Sequence, residues 1–409
     1  MADIPRRAGD RPPAIVLGGD VNAASVARSL GAAGVEVHAL GTGAADPVRD
    51  SRFCTSYVRF DRGEDVQQRW LRWLQDNASR FPGAVLLPCN DDALELIAAS
   101  RAALEDLSYR PFEADDEVLA TMLDKRRTAE LAARIGIPAP RSMVLEGAAS
   151  LEQAADGIGF PCGLKPLHAH VLARHQGWGK LILARDAAHL RELFAQLDAL
   201  GVGLLATEII PGEDECYRSY YSYIDADGRP LLHFTKQKLR GYPPRRGLWS
   251  YHLTTRDPDV MEMGLRFFQR AGVRGLANVE FKLDPRDGVL KLIECNHRFT
   301  AANEIVRLAG LDLALLTYER ALGRPGPDVS SYRTGLRLLN PIEDVRAFRA
   351  LRAEGKLSTA GWLRSLAHPL HTPLLRWNDP LPGVLSLARR GRRAAGKRLA
   401  ARRPARAGA

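Results

Sequence analysis

Residues 278–298 read NVEFKLDPRDGVLKLIECNHR. Two alternating runs, NVEFKL and VLKLIECN, flank the turn-forming DPRDG, a pattern that predicts a β-hairpin. A loop centred on Asp287 sets Glu280 directly opposite Glu294. Opposed side chains hold their Cβ atoms about 5 Å apart, and like charges so placed destabilise the pair unless a cation lies between them. Period-two alternation puts Asn278, Glu280 and Lys282 on one face of the first strand, and Glu294, Asn296 and Arg298 on one face of the second, with Cys295 turned into packing. Two carboxylates and an amide oxygen are hard ligands suited to Mg²⁺ or Mn²⁺ that also holds phosphate. The alternative is a polar hairpin face in water. The metal site is favoured because the other face (Val279, Phe281, Leu283, Leu292, Ile293, Cys295) obeys alternation only in part and Glu280 follows an apolar start.

Upstream lie further strand candidates, TEIIPG, YRSYYSYI and RPLLHFTKQKL. In the last of these Lys236, Lys238 and Arg240 alternate along one face. Such cations hold a substrate carboxylate, Arg240 bidentately, or else guard an exposed edge strand; Lys238 and Arg240 are the substrate candidates. Lys165 ends the apolar segment FPCGLK, where a buried ammonium requires an anionic partner. Residues 116–135 read as one helix, closed at Gly136 by IGIPAP, and helix is expected again over 301–321. At the N-terminal end, AIVLGG, a helical stretch and VEVHAL make a βαβ opening. Gly18, Gly19 and Asp20 occupy its turn, but GGDVNA lacks the three glycines of the dinucleotide fingerprint. Strand AVLLPCNDD delivers Asn90 and Asp91 to the end of a strand, where α/β sheets read substrates; capping of the next helix is the competing role, Asp92 included.

The 409 residues imply two or three domains. Five scattered cysteines without metal or redox spacing point to reduced thiols. No apolar run has membrane-spanning length and the first residues lack a signal-peptide core, so a cytoplasmic protein is expected. The formal charge of +10 is concentrated in the tail, where nine cations from Arg389 to Arg406 face no acid beyond Asp379. The body is nearly neutral, so the charge carries no nucleic-acid signal.

LIECNHR, preceded by NVEF across a short hairpin, resembles the metal-binding signature of ATP-grasp enzymes. The resemblance covers roughly residues 13–323 and implies an α/β and α+β chain: an open βαβ (Rossmann-like) pre-ATP-grasp domain (13–115), an ATP-grasp domain whose two subdomains clamp ATP (116–325), a C-terminal extension (326–382) and a basic tail, expected to be disordered (383–409). It implies Glu280, Glu294 and Asn296 as ligands of Mg²⁺ or Mn²⁺, and Arg298 on the phosphoryl or acyl-phosphate oxygens. Lys125 and Lys165 would be the two phosphate-binding lysines, Glu208 with Ile209 and Ile210 the adenine edge, and Glu215 the ribose carboxylate. The chain departs from the family between Lys165 and the next strand. PLHAHVLARHQGWGK replaces a small-residue loop, so His168, His170, Arg174 and His175 would close over triphosphate; zinc is rejected for want of a cysteine or acid at ligand spacing. That departure, with FTKQKLRGYPP, is similar to the D-aspartate-ligase and carboxylate-amine-ligase branch. The activity implied is ATP- and Mg-dependent coupling of a small-molecule carboxylate to an amine through an acyl phosphate. The alternatives are a phosphotransferase or a non-catalytic nucleotide sensor of the same fold. No specific nucleic-acid partner is expected, and peripheral contact with an anionic membrane or a protein is the second reading of the tail.

Overall fold

The computed structural model describes residues 11–61, 63, 65–167, 181–327, 329–389 and 392. The loop bearing His168, His170, Arg174 and His175, and most of the basic tail, lie outside them. The N-terminal part is a parallel sheet: β1 (Ala14–Leu17), α1 (Val21–Ala32), β2 (Val37–Gly41), β3 (Ser56–Arg59), α2 (Val66–Asp76), β4 (Val85–Pro88), α3 (Asp91–Asp106) and β5 (Arg110–Pro111), in strand order β3-β2-β1-β4-β5. β1, β2 and β4 are buried along their whole length, as strands covered on both faces must be. Between β1 and β4 the strand order reverses, and ligands gather at such a point.

The helix expected over 116–135 is two, α4 (Asp116–Leu123) and α5 (Lys125–Arg134). Asp124 breaks it: its backbone is extended and its carboxylate accepts from Arg126 N and Arg127 N. Aspartate competes for backbone donors inside a helix and favours the cap. The break makes Lys125 the first residue of α5.

A four-stranded antiparallel sheet follows: β6 (Ser142–Leu145), α6 (Ala148–Ile158), β7 (Cys162–Pro166), β8 (Ile182–Ala184), α7 (Ala187–Asp198) and β9 (Leu204–Glu208), in order β6-β9-β7-β8. It has its own core, with Leu151, Ala154, Leu164, Leu190 and Leu197 at its centre.

The third sheet has seven strands. Its elements are β10 (Tyr217–Ile224), β11 (Phe234–Tyr242), β12 (Leu248–Thr255), α8 (Pro258–Arg270), β13 (Gly275–Leu283), β14 (Leu290–Asn296), α9 (Asn303–Ala309), α10 (Leu313–Ala321), β15 (Arg337–Leu339), α11 (Pro341–Ala353), α12 (Thr359–Leu366) and β16 (Leu370–His371), in strand order β14-β13-β10-β11-β12-β15-β16. Gly310, left-handed at φ 111°, divides the helix expected over 301–321. One face of this sheet shares a continuous core with the N-terminal sheet, through Tyr221, Phe234, Leu276 and Phe299. The other packs on α8 through Tyr220, Phe267, Phe268 and Val279.

The segment after residue 336 continues the same body. β15 and β16 extend the seven-stranded sheet, and α11 is pinned where Arg240 meets buried Asp344 at 2.8 Å. Farther on, Asp379 is buried against Arg28 of α1 at 2.7 Å. Among the described residues, no helix is long and apolar enough to cross a membrane.

Candidate active site

β13 and β14 pair with Asn278 opposite Asn296, Val279 opposite Cys295 and Glu280 opposite Glu294. Below that the register slips by one residue, Phe281 facing Leu292, because Ile293 is bulged out. The bulge explains the imperfect alternation of the apolar face. Leu292 and Cys295 both enter the core, while Glu280 is half-buried and Glu294 exposed.

Neither carboxylate makes a hydrogen bond or ion pair among the described residues. Two unsatisfied, opposed carboxylates beside an amide oxygen suit a divalent cation. No cluster of three or more His, Cys, Asp and Glu side chains forms a ready-made cage among the described residues. One or two carboxylates completed by phosphate and water is the coordination that Mg²⁺ prefers.

β7 brings Lys165 to this hairpin. Burial pushes its ammonium below the usual lysine range; Glu294 raises it again, Lys125 lowers it and Glu280 raises it. Lys165 therefore feels the charge of Lys125, Glu280 and Glu294, although the four come from a helix start, the four-stranded sheet and the seven-stranded sheet. Arg298, just past β14, has Nε 2.5 Å from Asp91 Oδ1. Phe299 N donates to Pro88 O at 3.2 Å, and Asn22 Nδ2 donates to Cys89 O and Phe299 O. The carboxylate hairpin is thereby sewn to the ends of β1 and β4, where the parallel sheet reverses. Asn90 lies there too, its side-chain oxygen accepting from Ala93 N at 2.9 Å as the cap of α3. That capping role belongs to Asn90 and not to Asp92.

The hinge side is more committed than the sequence implies. Glu208 ends β9 with its carboxylate held by Arg286 Nη2 at 2.6 Å and Arg141 Nε at 3.3 Å. Ile210, buried, accepts Lys282 Nζ on its carbonyl at 2.8 Å, with Ile209 beside it. Glu215 is exposed on a short 3₁₀ turn over Asp214–Cys216.

Arg240 corrects an expectation. It is buried, its Nε and Nη2 meet the two Asp344 oxygens at 2.8 and 3.0 Å, and Nη1 donates to Ser365 Oγ at 2.9 Å. Three of its five N–H donors are spent on the C-terminal segment, and with the side chain buried this favours a structural role over forking a substrate carboxylate. Nor is this an exposed edge, since β12 covers β11. Lys238 is buried with Nζ 3.7 Å from the centre of the Tyr217 ring.

Several residues near the site were given no role by the sequence, or were not marked by it at all. Lys282 also lies over Tyr217, at 4.7 Å. Lys236 is buried against Ser219 Oγ at 3.0 Å and His252 Nε2 at 3.3 Å. Ser219 pairs with Glu280 on one side and Lys236 on the other, so one row of the sheet runs from the carboxylates to that lysine. Alternation along β13 was the available signal for Lys282. Nothing local marks Ser219, Tyr217 or His252.

No family model matches the chain. It is 24% identical over 326 residues, 76% of this chain and 77% of the relative, to D-aspartate ligase of Enterococcus faecium (strain Aus0004). Its structure is similar to that of the biotin carboxylase domain of Hydrogenobacter thermophilus 2-oxoglutarate carboxylase, crystallised with MgADP, ADP and bicarbonate. That likeness has a TM-score of 0.62 at 18% identity, over 79% of this chain and 73% of the other. It is similar also to an ADP complex of N5-carboxyaminoimidazole ribonucleotide synthetase, with a TM-score of 0.63 at 13% identity, over 85% and 86%.

Proposed function

We propose that this chain, an ATP-dependent enzyme of the ATP-grasp superfamily, joins a carboxylate to an amine by way of an acyl phosphate, releasing ADP and phosphate. The observation that carries the reading is the pair of opposed carboxylates Glu280 and Glu294, without hydrogen bonds among the described residues, whose charge buried Lys165 feels together with that of Lys125. On this reading Glu280, Glu294 and Asn296 hold Mg²⁺, which when bound draws charge from the phosphate oxygens. Lys125 and Lys165 neutralise the phosphates as negative charge shifts in the loose transition state. Arg298, steadied by Asp91, lies where the acyl-phosphate oxygens emerge. Glu208, Ile209 and Ile210 border the adenine and Glu215 the ribose. On the same reading the loop around His170 to Gly179, outside the described residues, has the task of excluding water, because hydrolysis would waste the activated acid. Asn90, Asp91 and Lys238 border the carboxylate and amine substrates, and the free cysteines support a cytoplasmic setting.

Incubation with ATP, Mg²⁺ and a panel of amino acids tests the proposal. A new amide formed in step with ADP is the expected result. ADP release with a phosphorylated product and no dependence on amine would assign the chain to phosphotransfer instead, and tight ATP binding without any turnover to sensing.

A further inference from the structure

The turn at residues 376–379 is built with unusual care around a side chain that touches water on all sides. Arg376 and Asp379 pair across an antiparallel bridge, which leaves Trp377 and Asn378 as the tip of a two-residue turn. Both posts are anchored. Arg376 Nε lies 3.2 Å from Oε1 of the fully buried Glu304. Asp379, 1% exposed, takes Arg28 Nε at 2.7 Å, Ser51 Oγ at 2.8 Å and Arg52 N at 3.0 Å. Buried ion pairs of this kind hold a segment in one geometry. What they hold out is Trp377, 104% exposed.

The neighbouring segment shows the same inversion. Residues 381–389 are helical, and Leu381, Val384 and Leu387, three residues apart, are 53%, 49% and 52% exposed. Three-residue spacing places them on one side of the helix. Arg389, on the inward side, pairs with Asp50. From there to the end eight further cations follow with no acid among them.

We propose that Trp377 and the Leu381, Val384 and Leu387 stripe dock on an anionic lipid bilayer, drawn to it by the cations that follow in the sequence. Tryptophan at the tip of a rigid turn suits the interfacial zone, where an apolar ring and a polar N–H are both satisfied. A short apolar stripe next to a run of Lys and Arg supplies the two signals that stable peripheral binding needs. A lipid surface is favoured over a protein partner because the stripe runs into cations with no acid among them, the charge that anionic headgroups attract. A nucleic acid is disfavoured because no aromatic is interleaved with the tail cations.

The full chain should co-sediment with vesicles of phosphatidylcholine containing about one-third phosphatidylglycerol, and release as salt rises. Pure phosphatidylcholine vesicles should retain little. Trp377→Ala and, separately, Leu381→Ser with Val384→Ser should each weaken binding to the anionic vesicles roughly tenfold, and leave thermal stability and ATP turnover in solution unchanged. Equal binding by Trp377→Ala and the unaltered chain would overturn the proposal, as would binding to a single-stranded RNA that exceeds vesicle binding and ignores both sets of changes.

Discussion

Glu280 and Glu294 repel each other across a strand pair, so each is retained at a cost that only a cation offsets. Glu294→Ala is therefore expected to lower Mg²⁺-dependent turnover on the order of a hundredfold or more, while the melting temperature measured without metal stays level or rises. Unchanged turnover would remove the metal assignment. Lys236 allows a second test. Burial lowers its ammonium to about 8, with Glu280 raising it and Lys238 lowering it further. In the unfolded chain the same group titrates near about 10.4. Between those values the unfolded state binds more protons than the folded one, so stability rises with pH through that window. The penalty is complete below about pH 8. Lys236→Met should thus be more stable than the unaltered chain at neutral pH, by on the order of 1–3 kcal/mol, and lose that advantage as pH approaches about 10. Denaturant melts at a series of pH values check this; an advantage independent of pH would show that the lysine titrates alike in the folded and unfolded states, and would remove the burial shift.

At the scale of elements, the docking of α11 depends on Asp344, which receives Arg240, Ser250 Oγ at 3.1 Å and Trp362 Nε1 at 2.8 Å. Asp344→Ala strands a buried guanidinium and should cost about 3–5 kcal/mol, whereas Asp344→Leu combined with Arg240→Met should cost less than either single change. Hydrogen exchange over β15 and α11 would show the loosening, and an Asp344→Ala protein with native protection but a raised KM would return Arg240 to a substrate role. This contact shows where sequence reading stops. The β13–β14 hairpin and the opening βαβ unit were legible because short-range alternation and turn residues specify them. The bulge at Ile293 was not, since an extra residue leaves no mark except broken alternation. The break at Asp124 had a signal, a capping residue before Lys125, but KRRTAELAAR is helix-forming and the composition on both sides concealed it. Arg240 looked like a substrate ligand because its partner stands 104 positions away in a segment with no motif of its own.

For the whole molecule, the C-terminal segment belongs to the body as far as Asp379. A chain ending at residue 371 loses both Asp379 and Arg376, leaving Arg28 buried without its countercharge and Glu304 paired with Arg307 alone. It is expected to be strongly destabilised, with the N-terminal sheet open to limited proteolysis, while a chain ending at residue 389 should melt near the full-length value. Similar melts for both would mean that the strap is ornamental. The Arg28 contact spans 351 positions, and Pro373 O and Leu374 O accept from the same guanidinium. A ribosome delivers α1 long before its countercharge, although leading domains ordinarily fold while the rest is being made. Here the opening domain stays electrostatically unfinished until residue 379 has been made. A nascent chain that stalls anywhere before Asp379 carries its own sign of incompleteness near the N-terminus, available to a protease or chaperone and erased when the closing turn arrives.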